Sequence, residues 1–245
     1  MEFIANCRMN NKIRIFDTED DLAEKFCTEF FKTADDYIAR GVYFNVALSG
    51  GSTPLIIYRK IADDHVYRID WRGVRFFWGD ERCVPPDDPQ SNYGKAKEYL
   101  LDKIPVPAEN IFRIYGENDP AVEAGRYSDE FMSAGLKQFD FTMLGLGEDG
   151  HTASIFPNDL ALFDSPQLFT ATKHPDTKQN RITATGSLIN KSTRIVILAA
   201  GERKAKIVER IINRPGDYMQ YPAANLNSGS SEWFIDSRAA NLLNQ

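Results

Sequence analysis

Little in this chain of 245 residues points to cross-links, metals or membranes. It has three cysteines, Cys7, Cys27 and Cys83, an odd number with no C-x-x-C spacing. Free thiols in a reducing compartment are expected, not a disulfide framework. No apolar run approaches the ~18 residues of a membrane span. Residues 1–10 lack the apolar stretch of a signal peptide, so a cytoplasmic location is expected. Positive charge is not in excess: 29 Lys and Arg face 35 Asp and Glu, a formal charge of −6. Binding to phosphate backbones draws on a surplus of cations, so no nucleic-acid partner is expected, and no membrane partner either. Net charge does not report a local field, so a basic pocket for a small anion stays open. There is no H-E-x-x-H, no paired Cys or His at ligand spacing and no calcium-loop pattern, and hence no metal is expected. A serine nucleophile is also unsupported, because no G-x-S-x-G elbow occurs.

What is present is an alternation of short apolar runs with longer helical patterns. Strands are expected at Lys12–Phe16, 43–48, Val74–Trp78, 139–144, Arg194–Ala199 and 232–235. Runs such as VRFFW and IVILAA are apolar throughout, which suits parallel strands covered on both faces. Helices are expected at 20–39, 54–61, 119–136 and 202–213. In the first, Leu22, Phe26, Phe30 and Tyr37 fall near one face. The second opens on Pro54, a residue suited to a helix start. The alternation predicts an α/β fold, Rossmann-like, with a mainly parallel twisted sheet and helices on both faces. It runs over 1–245 as a single domain, without repeat or linker. Ligands of such sheets bind outside the carboxyl ends of the strands, so the loops there are the place to look.

Three of those loops carry chemistry. The first is Ser49-Gly50-Gly51-Ser52-Thr53-Pro54, after VAL. Its glycines let backbone approach a ligand, its hydroxyls donate, and the helix that follows offers free N–H groups to an anion. It lacks the Lys of a Walker loop. A plain strand–turn–helix corner would use the same residue types. The second is Trp78-Gly79-Asp80-Glu81-Arg82, with VPP and SNY after it. Arg82 offers a fixed guanidinium fork for phosphate or carboxylate, and Asp80 a possible polar contact. Taken alone, the segment reads equally well as a solvated turn. The third is Leu144-Gly145-Leu146-Gly147-Glu148-Asp149-Gly150-His151-Thr152. His151 is a base suited to neutral pH, and Asp149 is placed to orient it. His65 and His174, in a charged stretch and before Pro175, read as structural. Gly145, Gly147 and Gly150 match the dinucleotide fingerprint, but Pro157 interrupts the helix that fingerprint needs. No nicotinamide, flavin or other cofactor is expected. Arg181, opening the strand RITAT, and Lys204, after IVILAA, are further cations within reach of a shared edge.

Together these segments resemble the 6-phosphogluconolactonases, lactone hydrolases of the oxidative pentose phosphate pathway. The matching pieces are SGGSTP, WGDER with VPP and SNY, LGLGEDGHTASIFP, RIT, GERKA, PAA and WFIDSRAA, in order along nearly the whole chain. The piece ending in DGHTASIFP is the most specific. The related glucosamine-6-phosphate deaminases carry DGHIAFNEP there, with a glutamate five residues after the histidine. This chain has Phe156 at that position. One departure from the lactonase pattern is Asp88, where VPPDHPDSN would have a histidine.

The resemblance implies hydrolysis of 6-phospho-D-glucono-1,5-lactone to 6-phosphogluconate without metal or covalent intermediate. His151 would be the general base on water and Asp149 its orienting partner. Ser49, Gly50, Gly51, Ser52 and Thr53, with Arg181 and Lys204, would hold the 6-phosphate. Arg82 would serve the phosphate or the developing oxyanion. The alternatives are a deaminase or isomerase of glucosamine 6-phosphate, and a non-catalytic sugar-phosphate sensor. The only partner expected is the sugar-phosphate substrate, with the protein a monomer or small homo-oligomer.

Overall fold

The apolar runs become the strands of a sheet buried on both faces. The computed structural model describes residues 3–5, 12–214 and 216–243; Cys7 and most of the stretch 1–10 lie outside them. The strands among the described residues are β1 (Phe3–Ala5), β2 (Lys12–Phe16), β3 (Phe44–Leu48), β4 (Val74–Trp78), β5 (Asp80–Arg82), β6 (Phe141–Gly145), β7 (Phe169–Lys173), β8 (Asn180–Ala184), β9 (Arg194–Ala199) and β10 (Ser231–Asp236). Six of them form a parallel sheet in the order β2-β10-β9-β6-β3-β4, and β1 adds antiparallel to β2 at its edge. Every residue of β3 is buried, and all but the first of β9, so layers cover both faces. The α/β class and the parallel sheet are as the alternation implied.

The helices are α1 (Glu19–Ala39), α2 (Ser52–Asp64), α3 (Asn92–Ala96), α4 (Pro120–Ser133), α5 (Gly186–Ile189) and α6 (Ala205–Ile212). Thr18 caps α1 by accepting from the Asp21 N–H at 3.0 Å. That helix turns Leu22, Phe26, Phe30 and Phe31 inward. The Phe141 ring of β6 meets Phe26, Phe30 and Phe44 at centroid distances of 5.5, 5.8 and 6.0 Å. Each such buried ring contributes about 1.5–3 kcal/mol. Asp119 caps α4 through the Ala121 and Val122 N–H groups, and Pro120 occupies its first turn. Among the described residues no helix is long and apolar enough to cross a membrane. Cys27 and Cys83 are unpaired.

Two features place the functional loops. The strand order reverses between β3 and β6: the chain leaves β3 for β4 on one side, and leaves β6 for β9 on the other. That crevice is where doubly wound sheets open a binding site. In addition, β5, β8 and β7 form a separate antiparallel sheet. The acidic-basic run 80–82 is thus a strand with Asp80 and Glu81 buried, and not a solvated turn. Its partner lies a hundred residues away in sequence, so local pattern could not announce it. The small sheet docks beside the large one through Ala184 N–H on the Gly79 carbonyl at 2.7 Å.

Candidate active site

A cleft of about 420 Å³ opens at the carboxyl ends of β3, β6 and β9. Its floor is the loop between β3 and α2. Tyr58 of α2 is fully buried and braces that loop, donating to the Ser49 carbonyl at 2.6 Å and accepting from the Ser49 N–H at 3.3 Å. Gly51 has φ +107°, and no side chain caps α2. The first N–H groups of this helix, at Ser52 and Thr53, therefore border the cleft without a protein cap. The Asn92 carboxamide packs directly on Gly50, where a Cβ would collide with it. Ser49, Gly50, Gly51, Ser52 and Thr53 all line the cleft.

The loop after β6 forms the next wall. It folds back on itself through Gly147 N–H to His151 O at 2.8 Å and Gly150 N–H to Gly147 O at 3.0 Å. Thr152 donates to the Gly145 carbonyl at 3.0 Å. No α-helix follows; a 3-10 segment begins at Pro157, so the glycine pattern is a tight turn and not a dinucleotide fingerprint. Ala153 sits in the left-handed region at φ +49°, an uncommon place for a residue with a side chain, and borders the cleft. The turn brings the His151 ring against Asp149, with Nδ1 2.5 Å from Oδ1. Asp149 also accepts the His151 backbone N–H at 3.1 Å. Burial pushes the Asp149 carboxyl up, but the hydrogen bonds and charge of His151 outweigh it and hold the group below the usual carboxylate value. An ionised Asp149 makes Nδ1 the donor, leaving Nε2 as the acceptor. Gly147 makes room for this pair, since a Cβ there would strike both His151 and Asp149.

The small sheet supplies the opposite wall. Asp80 lines the cleft but is engaged: it accepts from Ser154 Oγ at 2.7 Å and from Asn92 Nδ2 at 3.3 Å. Glu81, 2% exposed, accepts from the N–H groups of Arg82, Asn92 and Tyr93, each at 2.7 Å, and from Ser91 Oγ at 3.1 Å. Burial pushes its pKa up to about 7, with the three N–H donors opposing. This carboxyl fastens β5 to α3 and so fixes Asn92 and Arg82. Arg82 lines the cleft and donates from Nη1 to the Gln90 carbonyl at 2.6 Å. Lys204 lines it from the loop after β9, which is held by Gly201 N–H on Asp236 at 2.9 Å. Burial lowers the Lys204 pKa, against the opposing charges of Glu148 and Asp149.

Arg181 is the sequence-predicted residue that does not reach the cleft wall. It is buried in β8, in register with Arg82, and does not line the cavity. Burial and the neighbouring Arg82 charge lower its pKa. Its strand, β8, pairs with β5, and it is β5 that brings Asp80 and Arg82 to the cleft. His174 departs the other way. Read as structural from sequence, it lines the cleft, as does Asp176 beside it. Among the described residues one cluster has metal-ligand types, Glu24, Asp64 and His65, away from the cleft. The Lys60 ammonium already lies 3.4 Å from Glu24 and 3.3 Å from Asp64.

The family model for glucosamine-6-phosphate isomerases/6-phosphogluconolactonase matches residues 17–235. The chain belongs to this family. Within the glucosamine-6-phosphate isomerase/6-phosphogluconolactonase family, the 6-phosphogluconolactonase of Haemophilus influenzae is 44% identical, over 81% of this chain and 87% of its own. That of Aggregatibacter actinomycetemcomitans is 41% identical, over 93% and 98%. The crystal structure of a protein named devB superposes with a TM-score of 0.86 at 39% identity, over 95% of this chain and 99% of its own. A monomeric glucosamine-6-phosphate deaminase has a TM-score of 0.79 at 22% identity, over 94% and 99%, and shares the fold alone.

Proposed function

We propose that this chain hydrolyses 6-phospho-D-glucono-1,5-lactone to 6-phosphogluconate, acting as one catalytic domain. The observation that carries the reading is that the Asp149–His151 pair and the uncapped start of α2 face one cleft. Such a cleft has an acceptor for a water proton and a donor array for a phosphate. Two similar proteins named 6-phosphogluconolactonase, at 44% and 41% identity, support it.

In this reading the phosphate rests on Gly50 to Thr53 at the start of α2, with Lys204 beside it. Arg82 supplies the second cation, to the phosphate or to the oxyanion at the carbonyl oxygen. Arg181 adds positive potential from behind Arg82. Nε2 of His151 takes a proton from water as its oxygen attacks the lactone carbonyl carbon. The ring C–O bond then breaks, and the leaving oxygen takes its proton from the imidazolium. The products are a carboxylic acid and a hydroxyl, so no oxidant or metal enters the balance. A base of this kind contributes ~10²–10⁴-fold. Asp149 holds the tautomer through its contact with Nδ1. A phosphate anchored away from the carbonyl fixes the approach.

Phe156 favours a lactonase over a deaminase. It is 1% exposed and its ring lies 5.0 Å from His151, where a deaminase of the resembling pattern would carry a glutamate. The test is a coupled assay in which the lactone is generated in situ. Acid release above the spontaneous rate is expected. Release of ammonia from glucosamine 6-phosphate, or binding of 6-phosphogluconate with no lactone turnover, would overturn the proposal.

A further inference from the structure

We propose that His174 is a specificity-determining donor in this cleft, hydrogen-bonding from Nε2 to a substrate oxygen beside the lactone carbonyl. This rests on the lactonase reading above. His174 stands at the start of the hairpin between β7 and β8 and lines the cleft. Its ring is oriented by main chain: Nδ1 lies 3.2 Å from the Asp176 nitrogen and 3.3 Å from the Thr177 nitrogen, accepting from both N–H groups. An Nδ1 that accepts leaves the proton on Nε2.

The two cleft imidazoles therefore have opposite polarity. His151 carries its proton on Nδ1 against Asp149, leaving Nε2 a free acceptor position; His174 accepts at Nδ1 and carries its proton on Nε2. Phe156 lies between them, its ring 5.0 Å from His151 and 5.0 Å from His174. This shared contact puts the His174 ring on the same stretch of cleft wall as the His151 ring. A neutral imidazole N–H is too weak an acid to surrender its proton to a leaving oxygen, so the role is a hydrogen bond and not proton transfer.

The hairpin is held in place. His174 N–H bonds the Gln179 carbonyl at 3.0 Å, and Lys178 N–H returns to the His174 carbonyl at 3.0 Å. The Gln179 side chain donates to Gln90 at 3.0 Å, tying the hairpin to the loop that Arg82 also grips. A donor so fixed contributes to binding without reorganising.

The test compares His174→Ala, His174→Phe and His174→Gln on the full chain, with 6-phosphogluconolactone made in situ and with unphosphorylated gluconolactone. The Ala and Phe variants should raise KM about five- to tenfold, the worth of one hydrogen bond, with kcat little changed. Gln, which keeps a donor, should recover most of the loss; Phe, which keeps only the ring contact, should not. An unchanged KM in His174→Ala, or a loss that Gln fails to relieve, contradicts the proposal. The fold-loss should be equal on the unphosphorylated lactone. A loss that vanishes there would put the donor on the phosphate and overturn the placement. If the wild-type chain turns over no lactone, the parent reading fails alone. Calorimetry with 6-phosphogluconate then decides on His174: weaker binding by His174→Ala supports the donor, equal binding overturns it.

Discussion

On one side of the cleft, the loops leaving β3 and β6 carry the Asp149 and His151 side chains on tightly packed main chain. Gly50 and Gly147 sit where any Cβ would collide with a neighbour, and the start of α2 offers N–H groups instead of side chains. On the other side, the small sheet presents side chains: Asp80, Arg82 and His174. These are fixed from behind by a buried carboxyl, Glu81, and by hairpin N–H groups. The first wall has no room for a Cβ at Gly50 or Gly147 unless a neighbouring side chain moves. The second tolerates no lost partner. Sequence changes should therefore fail differently on the two sides, by displacement on one and by loosening on the other.

The largest break should come on the main-chain wall. Gly147→Ala pushes the His151–Asp149 pair out of line, and a displacement near 1 Å lowers kcat by about 100-fold. Thermal melting should change far less, because both side chains in the collision are only partly buried. Steady-state kinetics with a melting curve on the same sample checks both halves.

The side-chain wall should fail in stability first. Glu81→Ala leaves three main-chain donors and the Ser91 hydroxyl without their acceptor. The cost is roughly 4 kcal/mol or more at 1–3 per orphaned group. In a chain of this size that is about 8–16 °C in Tm, measured by differential scanning calorimetry. Lys204→Ala sharpens the contrast: KM for the phosphorylated lactone should rise about tenfold, and KM for gluconolactone should stay put. Equal effects on both substrates would remove Lys204 from the phosphate site.

The smallest effect is a pH slope. Burial raises the Glu81 pKa from an ordinary 4.5 to about 7, so the folded state holds the extra proton. Stability from this group is full below about pH 4.5 and is lost as pH rises through about 7. The Tm difference between wild type and Glu81→Gln should narrow or change sign across that window. A difference independent of pH would place the Glu81 titration elsewhere.

The same contrast separates what the sequence makes legible from what it hides. Glycines, hydroxyls and a helix start are local signals, and they mark the β3–α2 loop and the His151 turn. The parallel strands were legible because both their faces are buried. The small sheet was not, because β5 and β8 pair across a hundred residues and the run Asp80-Glu81-Arg82 looks like surface. That one long-range pairing also explains Arg181, which lies buried in β8 in register with Arg82. The sequence does not mark His174, because its partners are backbone N–H groups and a ring eighteen residues earlier in the chain. Fixing such a residue takes a turn geometry that no residue type announces.

The central claim is that His151, oriented by Asp149, is the base for lactone hydrolysis. Its most direct test is acid release from 6-phosphogluconolactone by wild type and by His151→Ala, at saturating lactone and corrected for spontaneous opening. With matching circular dichroism, kcat should fall ~10²–10⁴-fold while KM moves little. Near-wild-type kcat in the folded variant would contradict the account.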